Sequence, residues 1–134
     1  MVVDLYSIDH GYGFCRHAGQ RVFFRVEDFF RDSPDDPLPI CGERVGVDRL
    51  VQGERSPRAA SLVRLTKPNR VVGRVKSFDS DKGWGFIDHR GDAFFLHRSD
   101  LMVPFVPIIG SHVTFYAGER RGKPRACYLL PDKG

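Results

Sequence analysis

Two stretches of this chain, DKGWGFID (81–88) and DHGYGFC (9–15), set aromatic residues two apart with glycines between and beside them. Alternate residues of a strand share a face. Trp84 and Phe86 would therefore stand together on one side, with Gly83, Gly85 and Ile87 on the other. Such a pair of rings either fills a core or offers a flat surface to something flat. Lys76, Lys82 and His97 interleave with the aromatic residues rather than avoiding them. Rings in a basic setting suit unpaired bases, because any base can stack on a ring, at roughly 1–3 kcal/mol per stack. Lysines and arginines meanwhile attract phosphates by releasing counterions.

Other chemistry is poorly represented. No Ser/His/Asp arrangement, paired carboxylates or glycine-rich phosphate loop stands out, so an enzyme is not expected; GYG and GWG read as strand motifs rather than helix starts. His97 sits among rings, which favours a contact role over that of a general base. Asp79, Asp81 and Asp88 read as solvated turn residues. His10, Cys15 and His17 lie close together in HGYGFCRH, but neither a CxxC nor a second ligand pair accompanies them, so no metal and no cofactor is expected. The three cysteines, Cys15, Cys41 and Cys127, follow no paired spacing and read as free thiols of a reducing compartment.

Totals bound the rest. The 134 residues carry 21 Lys and Arg against 17 Asp and Glu, with 41% hydrophobic content, ordinary for a globular chain. No apolar run is long enough to span a membrane. MVVDLYSIDHG lacks the basic and apolar segments of a secretory signal, so a cytoplasmic location is expected. Charge is uneven. Residues 1–66 hold nine Arg and no Lys against ten acidic residues (9 − 10 = −1), and residues 67–134 hold twelve basic against seven acidic (12 − 7 = +5).

That asymmetry coincides with an internal repeat. DHGYGFC (9–15) lies over DKGWGFI (81–87) at an offset of 72, and the same offset sets VDLYS over VKSFD and RVFFRVEDF over AFFLHRSDL. After the longer loop FRDSPDDPLPIC the match resumes with GERVGV over GSHVTF at an offset of 68, then SPRAASLV over KPRACYLL at 67. The chain therefore reads as two copies, 1–66 and 67–134, joined at TKPNR, where Pro68 and Asn69 favour a turn. Turn signals divide each copy into five short strands, and helical periodicity is absent. Five strands in about 65 residues predict a small barrel closed on itself, which removes the sheet edges. The fold expected is all-β, two tandem five-stranded antiparallel barrels.

Strand phase decides which face the rings occupy. With Val75, Ile87, Phe94 and Leu96 inside, alternation puts Lys76, Phe78, Trp84, Phe86, Phe95 and His97 outside. Copy one repeats the aromatic positions as Tyr6, Tyr12, Phe14 and Phe23, with Arg25 in place of His97. The opposite assignment, rings inside and aliphatics out, suits alternation equally. The aliphatic opposite face, the interleaved basic residues and the recurrence of the cluster in both copies favour rings outside.

These residues carry a family resemblance. GRVKSF, KGWGFI and FLH resemble the Gly-x-Val-Lys-Trp-Phe, Lys-Gly-aromatic-Gly-Phe-Ile and aromatic-Val-His motifs of the cold-shock domain family. The resemblance covers about 70–130 well and 1–65 as a degenerate copy. It implies barrels of the oligonucleotide-binding type that take single-stranded RNA or DNA on strands one to three, in RNA-chaperone or regulatory roles. It places nucleic-acid contacts on Lys76, Phe78, Lys82, Trp84, Phe86, Phe95 and His97, with Phe105 as a loop aromatic. The family's surface tryptophan is replaced by Ser77, and by Leu5 in copy one. The aromatic after the histidine is Arg98, which can stack its guanidinium or hold a phosphate. In copy one the lysines become Asp4 and His10, which makes Tyr6, Tyr12, Phe14, Phe23 and Arg25 a secondary site. A rival reading makes residues 1–66, net negative with the acidic loop DSPDDP, a module that recruits a protein or packs on the second copy. The expected partners are single-stranded RNA or DNA, with no membrane, a possible protein partner through residues 1–66, and a monomeric state.

Overall fold

The computed structural model describes residues 1–52 and 57–132; Ser56, the first residue of the matched stretch SPRAASLV, lies outside them. The chain divides into two compact units, Met1–Pro68 and Asn69–Gly134. Among the described residues the regular structure is eleven strands and two single 3-10 turns. The first unit holds β1 (Val2–Ser7), β2 (Tyr12–His17), β3 (Gln20–Arg25), β4 (Phe29–Phe30), β5 (Val45–Gln52) and β6 (Pro57–Arg64). The second holds β7 (Arg70–Asp79), β8 (Trp84–His89), β9 (Asp92–His97), β10 (His112–Arg120) and β11 (Lys123–Pro131). The 3-10 turns, Val26–Asp28 and Arg98–Asp100, follow β3 and β9. Among the described residues no helix is long and apolar enough to cross a membrane.

The second unit closes as a barrel in the order β10-β11-β9-β8-β7. It is not wholly antiparallel: β11 runs parallel to β9, meeting it at Arg125↔Phe95. Alternation explains this departure from the expected antiparallel barrel. A closed ring with an odd number of strands cannot have every neighbour reversed, so one seam must be parallel. The first unit is a six-stranded sheet rather than a closed five-stranded barrel, in the order β1-β2-β3-β6-β4 with β5 on β6. It has the same parallel seam, Phe23↔Arg58. Where β7 and β10 share a ladder from Arg70↔Tyr116 to Arg74↔His112, the start of the chain meets residues 42–45 through the bridge Val2↔Arg44 and through backbone hydrogen bonds of Val3 with Gly42 and Glu43 and of Met1 with Val45.

Both cores are built from the repeated positions. Val3, Cys15, Val22, Phe24, Val45, Ala59 and Leu62 are buried together in the first unit. Val75, Ile87, Phe94, Leu96, Val113, Ala126 and Leu129 occupy the matching places in the second, joined by Phe115. The Val22–Phe24 pair becomes Phe94–Leu96, so a large and a smaller side chain trade places within one layer and the volume is nearly kept. Burial pushes the Cys15 thiol up to about 12, which leaves it protonated and inert at neutral pH.

An Arg–Asp pair, absent from the motifs read in the sequence, locks the 3-10 turn to the parallel seam in each unit. Asp28 accepts the Arg25 amide at 2.9 Å and the Arg58 guanidinium through two hydrogen bonds of 3.1 and 3.0 Å. Asp100 accepts the His97 amide at 3.0 Å and Arg125 Nη2 at 3.3 Å. Burial pushes the Asp28 carboxyl up, but hydrogen bonds from Arg58 and the Arg25 amide, with both arginine charges, outweigh it and hold it below its ordinary value. At Asp100, burial dominates and raises the pKa in spite of Arg125 and the His97 amide. The sign of the linkage therefore differs. Asp28 adds stability above the ordinary carboxylate pKa that is lost as pH falls through its own lowered value. The Asp100 contribution is present below the ordinary value and is lost as pH rises through its raised one. Carboxyl-carbon NMR titration should place the Asp28 midpoint below that of Asp100; the reverse order would contradict the stronger pairing of Asp28.

Candidate nucleic-acid interface

The side chains of β8 and β9 sort as their alternation requires. Ile87, Phe94 and Leu96 point into the core, and the opposite face carries Trp84, Phe86, Phe95 and His97. Register then brings the rings together. Phe86 pairs with Phe95 and Trp84 with His97 across the two strands. The ring centroids of Trp84 and Phe86 are 6.0 Å apart, those of Trp84 and Phe95 are 6.1 Å apart, and those of Phe86 and Phe95 are 5.9 Å apart. Trp84 is 39% exposed, too much for a core tryptophan, while Phe86 and Phe95 are half-buried. The Ser99 amide donates to His97 Nδ1 at 3.1 Å, so the neutral imidazole carries its proton on Nε2.

Lys76 and Phe78 depart from simple alternation. The β7–β8 register shifts between Val75 and Ser77, a β-bulge at Lys76. Past an inserted residue, every later side chain changes face. Ser77 therefore pairs with Phe86 beside the rings, and Phe78 pairs with Gly85 and packs against the barrel core. Lys76 stays exposed. Copy one does the same: the shift between Val3 and Leu5 sets Leu5 opposite Phe14 and turns Tyr6 inward, stacked on Phe24 with centroids 6.0 Å apart. Phe78 and Tyr6, expected outside, thus belong to the packing beneath the face. Phe105, in the loop before β10, also packs against the core instead of standing free.

Gly83 lies in the turn rather than in β8, at φ +78, where a Cβ would run into the Arg98 guanidinium. Its carbonyl accepts the Arg98 amide at 2.8 Å, and Arg98 Nη2 donates to the Asp81 carbonyl at 3.3 Å. Arg98 is therefore folded onto the turn that carries Lys82. Asp79 shapes this turn as well, its Oδ1 accepting the Asp81 and Lys82 amides at 3.0 and 3.1 Å. Both Lys82 and Arg98 are exposed.

The first unit reproduces the ring cluster with a different electrostatic setting. Tyr12, Phe14 and Phe23 have centroids 6.3, 5.5 and 5.7 Å apart, and Arg25 pairs with Tyr12. The Arg21 guanidinium, however, lies 3.8 Å over the Phe14 ring. Residue 93, its counterpart, is alanine, so Phe86 has no such cover. Asp4, at the bulge where the second unit has Lys76, pairs with Arg16 at 3.2 Å.

One group of residues escaped the motif reading. A cavity of about 560 Å³ opens beside Phe86 and Phe95 and is walled by Ala93, Arg120, Arg121 and Lys123. The walls come from the β10–β11 hairpin, whose Arg121–Gly122 turn has φ of +53 and +79, as a two-residue type I′ turn requires. The available signal was the basic run RRGKPR (120–125), the densest in the chain. It is not adjacent in sequence to any ring, and only barrel closure brings it to the ring face.

No family model and no curated protein matches this chain. Among solved structures, it is similar to the Drosophila Unr CSD456 structure at 20% identity, over 98% of this chain, with a TM-score of 0.36. The chain spans about 60% of the length of that structure.

Proposed function

We propose that the chain binds single-stranded nucleic acid, RNA and/or single-stranded DNA, in an RNA-chaperone-like or regulatory role and without enzymatic activity. The observation that carries this reading is the exposed ring cluster Trp84, Phe86 and Phe95, bordered by Lys76, Lys82, His97 and the basic hairpin wall. Bases stack on the rings, and the cations draw the phosphates. The second unit is the main binder and the first a weaker one, since Arg21 already covers Phe14 and Asp4 stands where Lys76 would attract a phosphate. The sequence motifs of residues 70–130 support the same assignment, and the reading places the chain in the cytoplasm.

A titration followed through Trp84 fluorescence tests this. A ten-base single strand should bind more tightly than the same sequence in duplex, because pairing hides the base faces, and the affinity should fall with salt. Equal affinity for both forms would reduce the function to general phosphate binding.

A second reading assigns a protein partner to the first unit. Phe30 at 60%, Leu50 at 53% and Leu65 at 58% exposure put apolar surface on or beside its β4, β5 and β6 strands. In that reading the second unit holds nucleic acid and the first recruits.

A further inference from the structure

A second basic cavity lies in the Asn69–Gly134 unit, of about 520 Å³, at the end of the outer sheet face away from Trp84. The strand β7 lends it Arg74, the β8–β9 turn lends Arg90, and the first residue of β10 is His112. Register explains the meeting. Arg74 pairs with His112 on one side and with Asp88 on the other. Asp88 is two residues beyond Phe86 and shares its face, a step of about 6.6 Å along the strand. The cavity thus begins one residue pair beyond the rings, on the same surface.

Its cations are available. Arg74, Arg90 and His112 are exposed, and among the described residues none of them forms an ion pair. Arg74 spends only its Nε, donating to the Gly110 carbonyl at 3.2 Å. Arg70, deeper in the wall, is committed elsewhere: it donates to the Tyr128 carbonyl at 2.7 Å and lies 4.7 Å over the Tyr116 ring. The acidic residue of the wall, Asp88, disfavours an anion at the rim but leaves two guanidinium groups and the His112 imidazole around it. The corresponding residues of the first unit are Val2, Ala18 and Arg44, so a single guanidinium stands there in place of two and an imidazole.

We propose that Arg74, Arg90 and His112 form a phosphate clamp for the same single strand whose bases stack on Trp84, Phe86 and Phe95. This rests on the nucleic-acid reading and extends it by one step along the strand direction. A chain with bases over the rings carries its backbone along β8 toward the clamp, and a phosphate is an anion that guanidinium groups hold with paired donors. The clamp engages only a ligand long enough to run past the rings.

The test pairs strand length with salt. Arg74→Gln with Arg90→Asn keeps polar side chains, and asparagine tolerates the left-handed backbone of residue 90 (φ +54). Against a ten-base strand this double variant should bind about tenfold more weakly, with a salt slope shallower by about 0.7 for each phosphate no longer neutralised. Against a three-base strand, which covers the rings alone, it should match the parent. Asp88→Asn should act oppositely and tighten the ten-base complex. Melting temperatures check that each variant is folded. An unchanged slope and ten-base affinity in the double variant, with a parent that binds, overturns the clamp alone; equal losses on both lengths do so too. A parent that binds neither strand overturns the clamp and the nucleic-acid reading together.

Discussion

Replacing Trp84 and Phe95 together with alanine is expected to abolish most single-strand binding while leaving the barrel folded. Each ring removed from the face takes away one stack of roughly 1–3 kcal/mol, so the double variant should lose about 2–6 kcal/mol. Even the lower figure is a loss of more than tenfold. The fold should survive because neither ring belongs to the buried cluster of Val75, Ile87, Leu96, Val113, Phe115 and Leu129. A tryptophan packed in the core would instead cost about 3–5 kcal/mol of stability on truncation. The parent's only tryptophan supplies an independent readout. Trp84 should emit as a water-exposed indole and be quenched when a base stacks on it. Phe23→Ala, which removes the first unit's counterpart of Phe95, should cost less than Phe95→Ala, because the neighbouring Phe14 ring is already covered by Arg21. Intact binding by the Trp84/Phe95 double variant, or a larger loss at Phe23, would reverse the assignment of roles to the two units.

Gly85→Ala should damage the second unit severely, although it adds only a methyl group. A Cβ at that position would come within 2.7 Å of the Phe78 Cα and closer still to the Ser77 carbonyl. Both are backbone atoms, and neither can rotate away. Relief requires opening the bulge at Lys76, which is the feature that turns Phe78 into the core. Overpacking ordinarily costs about 1–3 kcal/mol; with backbone as the obstacle, about 3 kcal/mol is expected here. For a unit of this size that lowers the melting temperature by about 12–24 °C, since each kcal/mol is worth about 4–8 °C. Trp84 emission follows this unit specifically. Gly91→Ala is the control: it meets no atom within 4 Å and carries only the strain of φ +84. Equal melting of Gly85→Ala and the parent would mean that the bulge does not hold Phe78 in place.

Local pattern carried a large part of this. The period-two spacing of GWGFID and AFFLH already separates Ile87, Phe94 and Leu96 from Trp84, Phe86 and Phe95, because alternation along a strand is a property of the backbone and needs no partner. The turn chemistry of RHAGQ and HRGD marks hairpins for an equally local reason: the second residue of each two-residue turn, Gly19 or Gly91, sits at positive φ. The constant offset of 72 made the repeat visible, and with it the matched cores.

Everything that depends on pairing between distant residues lay outside that pattern. A bulge is decided by two strands, not one, and it moved Phe78 and Tyr6 from the expected face to the core side while leaving Lys76 exposed. The parallel seam follows from the parity of five strands, and the pairing between distant strands makes the second unit a barrel and the first a six-stranded sheet. The same seam brings Arg125 beside Phe95 and the basic hairpin to the edge of the rings. Residue types and their periodicity determined which surfaces could exist. Only the tertiary structure decided which residues share them, because a site is a set of neighbours in space and strand register is what selects those neighbours.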